Sequence, residues 1–201
     1  MSLNNVRNTM SLEKVKTSDF MSSGLIAGTR SGEDALALGY FTIQCYDKDG
    51  KLKWEDSNHN LVVNEGLQYM CGTALTSVTQ VTSWFIGLYG AGASNSPAAG
   101  DTMALHTGWT EVVPYSNATR PACTFATATT ANPSVATNSA SVAAFNINAS
   151  STVGGAFLVS NSTKSGSTGT LFSAADFSAP GDRVVASGDT LNVTYTLSLA
   201  G

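Results

Sequence analysis

From Arg120 onward, short apolar segments recur about every ten residues, and this spacing most narrows what the chain can become. Cys123–Thr127, Val142–Ile147, Gly155–Val159, Thr170–Ser173, Val184-Val185 and Thr190–Leu199 are each too short for a stable isolated helix. They are separated by turn pairs such as Asn132-Pro133, Gly166-Ser167, Pro180-Gly181 and Gly188-Asp189. Short strands between regular turns are the signature of a β-sandwich or barrel. The last segment is the cleanest: Leu191, Val193, Tyr195, Leu197 and Leu199 alternate with Asn192, Thr194, Thr196 and Ser198, committing one face to a core and the other to water. No internal repeat supports a solenoid or propeller.

The stretch from Gly39 to Leu75 adds a hairpin and a helix. Phe41, Ile43 and Cys45 alternate with Thr42, Gln44 and Tyr46; Asp47-Lys48-Asp49-Gly50 supplies a tight turn; Leu52 and Trp54 then face away from Lys51, Lys53 and Glu55. After His59–Val63 the period changes, and Leu67, Met70, Cys71, Ala74 and Leu75 fall on one helical face. Asn64 is the expected N-cap, with Glu65 in the first turn, where the helix dipole favours an acid. Trp84–Gly90 is an apolar run expected to be a central strand. Asp101–His106 is expected to form one helical turn capped by Asp101, and Trp109–Val113 a strand stopped by Pro114.

Charge is sparse and uneven. Residues 1–70 hold seven of the ten basic and nine of the fourteen acidic residues, so the rest must stay soluble on hydroxyls and amides. A net charge of -4 provides no basic face, which argues against a nucleic-acid partner. No apolar stretch reaches the length of a membrane span or a signal peptide, so synthesis in a reducing cytoplasm is expected. The three cysteines Cys45, Cys71 and Cys123 fit buried free thiols better than a disulfide framework, with Cys71 on the buried face of the helix. Residues 1–38 are interrupted by Gly and Ser too often to bury a core of their own. They read either as a disordered terminus or as an extended arm that orders on a partner subunit. In the second case Phe20, Met21, Leu25, Ile26, Leu36 and Leu38 are the anchors. The expected organisation is therefore an arm over 1–38 and a mainly β domain, a β-sandwich or jelly-roll-like fold with one short helix, over 39–201.

Catalytic patterns are weak throughout. His59 and His106 have no second ligand at metal spacing. The pair Asp47 and Asp49 lacks the glycine and the closing Glu of a calcium loop. Lys164-Ser165-Gly166-Ser167-Thr168-Gly169 begins with the wrong residue for a nucleophile elbow, and Gly90-Ala91-Gly92 opens no helix that could cradle a phosphate. Glu55 and Asp56, as neighbours on a strand, point to opposite faces and cannot form a glycosidase pair. The expectation is a non-enzyme without cofactor or metal. Trp54, Trp84 and Trp109 sit in strand contexts that favour core packing, which leaves Tyr115 as the aromatic most exposed for sugar stacking.

Three runs carry a resemblance: His59-Asn60-Leu61-Val62-Val63-Asn64-Glu65-Gly66-Leu67, Trp84-Phe85-Ile86-Gly87-Leu88, and Ala99-Gly100-Asp101-Thr102-Met103-Ala104 leading into Gly108-Trp109-Thr110-Glu111. Over about residues 39–115 the chain resembles small structural proteins of tailed bacteriophages. That resemblance implies a capsid decoration (cement) protein on the outer surface of the virion, bound to the major capsid protein and stabilising the shell by bridging its subunits. A tail-fibre or glycan-binding β module is the alternative. It also implies a homo-oligomer, with a trimer common in such roles, and no nucleic acid or membrane as partner. Lys48, Lys51 and Lys53 on the hairpin join the arm anchors as expected partner contacts.

Overall fold

The computed structural model describes residues 35–90, 96–177 and 181–201. The chain divides into two units, Met1–Asp34 and Ala35–Gly201, and the second is a two-sheet antiparallel β-sandwich. One sheet runs in the order β2 (Leu52–His59), β1 (Leu36–Tyr46), β12 (Thr190–Ala200), then β7 (Ser134–Thr137). The strand β8 (Ala143–Asn146) continues the β7 edge along β12. The other sheet runs β3 (Leu61–Val62), β10 (Leu171–Asp176), β9 (Ser151–Val159), β4 (Trp84–Gly90), β5 (Glu111–Val112). In it β6 (Ala122–Cys123) also pairs with β4, and β11 (Arg183–Val185) with β9.

The alternation of β1 and β12 explains their pairing. Phe41, Ile43 and Cys45 face inward beside Leu191, Val193 and Tyr195, and the two strands stay in register from Leu36↔Ala200 to Tyr46↔Thr190. The core between the sheets is completed by Ile86 and Leu88 of β4, Ala156 and Leu158 of β9, and Phe172 of β10. The alternate residues of the same strands, Tyr89, Phe157 and Val159, are also buried, under Met103 and Trp109. Strand β4 is thus central and buried on both faces, as its continuous apolar run implies.

The β1–β2 turn forms as expected: Gly50 takes φ 78°, and Asp47 Oδ1 accepts hydrogen bonds from the amides of Asp49 and Lys51, both at 2.9 Å. The folded unit starts earlier than expected, because Leu36 and Leu38 already belong to β1. Asp101–His106 is not helical. Asp101 Oδ2 instead accepts from the Trp109 indole at 2.9 Å and from the Ala98 amide at 2.9 Å, fastening the segment that covers the second sheet. Tyr115, expected at the surface, is 1 % exposed and packs edge-on against Phe145.

The helix α1 spans Asn64–Leu75, and its N-cap is Val63 rather than Asn64, with no side-chain cap. The Glu65 carboxylate is spent outside the helix, accepting the Leu171 amide at 2.9 Å. The buried face is also not the expected one. Gly66 and Gly72 are buried, Tyr69, Met70 and Thr73 are half-buried, and Leu67, Cys71 and Leu75 point to solvent. The cause is close approach: a Cβ on Gly66 would lie 2.9 Å from the Phe172 carbonyl carbon and nearer still to its oxygen. Only glycine lets the helix backbone sit on β10, and that contact fixes the helix rotation.

Candidate functional site: an uncharged aromatic groove

The apolar alternation of β12 outruns the core. Leu191, Val193 and Tyr195 are buried, Leu197 is half-buried, and Leu199 is 46 % exposed. Past Tyr195, the side chains of β12 and those of α1, which packs on β10, line a common opening. The result is an open groove of about 390 Å³. Tyr69, Met70 and Thr73 of α1 form one wall, Tyr195, Leu197 and Leu199 of β12 another, and Trp84, Phe125 and Phe172 the floor. The rings interlock edge to face: Tyr69 with Trp84 at 5.3 Å and Trp84 with Phe172 at 5.4 Å between centroids. Such edge-to-face pairs add to area burial and stiffen the site.

No residue lining the groove is charged, because they fall in stretches without any Asp, Glu, Lys or Arg, such as 66–100 and 121–163. The hydroxyls around it are already engaged. Tyr69 Oη accepts the Val81 amide at 2.7 Å, Thr73 donates to the Tyr69 carbonyl at 2.9 Å, and Tyr195 Oη accepts from Asn60 Nδ2 at 2.9 Å. Burial raises the Tyr195 phenol well above its ordinary value. Apart from the exposed amide of Gln80 at its edge, the groove presents apolar and aromatic surface, which suits a neutral, largely apolar occupant.

A charged hairpin lies at the opposite end of the β1–β12 pair. Strands β1 and β12 pair over eleven residues, so about 33 Å separates the Leu199 end from the hairpin turn. At that turn Lys48 pairs with its neighbour Asp49 at 2.8 Å in full solvent. Lys53, expected to be free for a partner, is instead held by Asp189 at 2.5 Å. Burial opposes the Asp189 charge, but the hydrogen bonds from Lys53 and the Ala186 amide outweigh it and keep that carboxyl below its usual range. Lys48 and Lys51 remain at the surface. Leu36 and Leu38 lie on β1, while Phe20, Met21, Leu25 and Ile26 fall outside the described residues.

A buried ion pair holds the neighbouring loops. Arg120 donates from Nε and Nη2 to both oxygens of Glu111, at 2.9 and 2.7 Å, from Nη1 to the Asn161 carbonyl, and from Nη2 again to the Gly166 carbonyl. This is a fully engaged structural clamp. His106 stacks on Trp109 at 3.9 Å, and His59 lies against Tyr40 at 4.3 Å. Among the described residues no group of three or more His, Cys, Asp or Glu could hold a metal, and no helix is long and apolar enough to cross a membrane. Burial pushes the Cys45 and Cys123 thiols up to about 12 each, while Cys71 is exposed.

The motifs behind the phage resemblance thus have structural work in this fold: Asn60 and Gly66 dock the β3–α1 segment, and Asp101, Trp109 and Glu111 fasten the cover and the clamp. Compared with protein-family models, with curated proteins and with solved structures, the chain finds no match in any of the three.

Proposed function

We propose that this chain is a non-enzymatic virion protein of the decoration (cement) kind, which binds the outer surface of a bacteriophage capsid and bridges major capsid subunits. The resemblance over residues 39–115 supplies the class. The observation that supports it is the division of the sandwich into two chemically distinct ends: an uncharged aromatic groove at one, a charged hairpin at the other. A bridging component needs separate contact surfaces on a stiff body, so that strain between neighbouring subunits is resisted by area buried at both ends. Lys48, in an exposed pair with Asp49, and Lys51 are the side chains that would meet an acidic capsid surface. The segment 1–34 is the arm of this reading, reaching across neighbouring capsid subunits.

The test mixes purified protein with shells stripped of it. Saturable binding and a higher shell melting temperature are expected, and the absence of both overturns the reading. A Lys48→Glu/Lys51→Glu variant should bind more weakly and with a smaller salt dependence. Removing residues 1–34, rather than 1–38, spares β1 and should weaken shell binding while the melting transition of the domain barely moves. The glycan-binding alternative loses its best platform with Tyr115 buried. Adsorption to host-cell glycans without binding to shells would restore it.

A further inference from the structure

We propose that the aromatic groove and a second recess beside it form one binding site for a neutral amphiphile, with an apolar tail in the groove and a hydroxylated head in the recess. The recess measures about 460 Å³, and Thr82, Ser83, Ala122 and Thr124 are among its lining residues. It shares Gln80, Val81, Trp84 and Phe125 with the groove, so the two adjoin along that wall. Each volume falls within the range of ligand sites, about 300–1,000 Å³.

The chemistry changes across the shared wall. In the groove the hydroxyls of Tyr69, Thr73 and Tyr195 are engaged within the chain, so what remains is apolar surface for a tail. In the recess the side chains of Gln80, Thr82, Ser83 and Thr124 bond to no described residue. Trp84, on the wall itself, stands apart from the other two tryptophans. Trp54 donates its indole N–H to the Val184 carbonyl at 3.4 Å and Trp109 to Asp101 at 2.9 Å, whereas half-buried Trp84 donates to no described residue. An indole nitrogen can only donate, so the ligand that satisfies it carries an acceptor oxygen where tail joins head, as a glycoside does. Charge decides the nature of the head. Both linings fall within 66–100 and 121–199 stretches that place no Asp, Glu, Lys or Arg on the site, so an ionic head entering the recess would shed water and meet no counter-charge. Neutral hydroxyls exchange their water for the amide and hydroxyls waiting there. The inference concerns the isolated chain and does not depend on the shell reading.

Titration of the isotope-labelled full chain by heteronuclear NMR tests it, with octyl glucoside below its micelle concentration, glucose and octanoate as the probes. Octyl glucoside should bind saturably. Of the three indole N–H signals, the one lost in Trp84→Phe should move with it, and those of Trp54 and Trp109 should hold still. Glucose, without a tail, should not bind over the same range, and octanoate, with a charged head, should bind at least about tenfold more weakly. Leu199→Asp, at a rim residue 46 % exposed, should weaken octyl glucoside binding at least about fivefold with the melting transition nearly unchanged. Leu105→Asp, 70 % exposed on the cover segment, should bind like the parent. The absence of saturable binding overturns the proposal, as does binding that leaves the Trp84 signal in place. Octanoate or glucose binding as tightly as the glucoside, or a Leu199→Asp chain that binds like the parent, overturns it equally.

Discussion

Two glycines in one helix should respond to alanine with opposite signs. In a helix interior, Gly→Ala is worth up to about 1 kcal/mol in favour of alanine. At Gly66 that gain meets the backbone of β10: the new methyl would sit 2.9 Å from the Phe172 carbonyl carbon and closer to its oxygen. Non-bonded carbon contacts settle at roughly 3.5 Å, so the helix must lift by on the order of 1 Å, loosening Tyr69 from Trp84 and Phe172. Overpacking of this kind costs about 1–3 kcal/mol, so the net expectation is a loss of about 1–2 kcal/mol. For a domain of this size that lowers the melting temperature by about 2–8 °C. At Gly72 the obstacle is the Val78 side chain, Cγ2 at 2.7 Å and Cβ at 3.1 Å, which is half in solvent on the segment after the helix and can give way more easily than the β10 backbone. Gly72→Ala should therefore fall between neutral and about 1 kcal/mol stabilising. Urea unfolding of the two variants beside the parent is the assay. A Gly66→Ala chain as stable as Gly72→Ala would refute the docking of α1 through its glycine, and with it the helix rotation that opens the groove.

Breaking the buried clamp should be severe. Arg120→Met leaves Glu111 charged and enclosed and should cost about 3–5 kcal/mol in chemical unfolding, with the double variant Arg120→Met/Glu111→Leu recovering part of that loss. The Lys53–Asp189 pair should shape the pH profile. The folded carboxyl of Asp189 is depressed, so its contribution is present above its unfolded value, about 3.9, and lost as pH falls through the folded one. Lys53 is raised by the same hydrogen bond, so its share is present below about 10.4 and lost as pH climbs through its folded value. Lys53→Met should flatten both limbs of melting temperature against pH. A thiol-specific reagent at pH 8 should modify one cysteine per native chain, identified as Cys71 by peptide mass, and three after unfolding, since Cys45 and Cys123 are buried with thiols pushed up to about 12.

Where local pattern and packing agree, the sequence was readable. The β1–β2 hairpin follows from strict alternation and an Asp-Gly turn, and β4 from an apolar run that only a doubly covered strand accommodates. Where the deciding contact is distant, it was not. The α1 sequence carries two overlapping apolar stripes, and the broader one, Leu67, Cys71 and Leu75, wins any count of hydrophobic residues. The narrower one is buried because glycine fits against a carbonyl more than a hundred positions away. Asp101 reads as a helix cap, yet its oxygen is worth more to a buried indole that would otherwise go unpaired. Lys53 looks like a free surface cation until Asp189, 136 positions on, is placed beside it. Strand β7, Ser134–Thr137, is too short and polar to announce itself, yet it forms one side of the groove.

The overrun of β12 separates the core of the fold from the rim of the groove. If Leu199 served the fold, its loss should resemble that of Leu191, which is fully buried. Burying a leucine is worth about 1.5–3 kcal/mol, so Leu191→Ser should lower monomer stability by at least that much. Leu199 is 46 % exposed and pairs across to Ala37 and Ser134 at the end of the strand, where little packs on it. Leu199→Ser should then cost less than about 1 kcal/mol, read by urea unfolding beside the parent and Leu191→Ser. Equal destabilisation of the monomer by the two serines would mean that the alternation beyond Tyr195 is ordinary core, and the groove an accident of its edge. Unequal destabilisation would mean that Leu197 and Leu199, the leucines of β12 past the core, line the groove more than they hold the fold together.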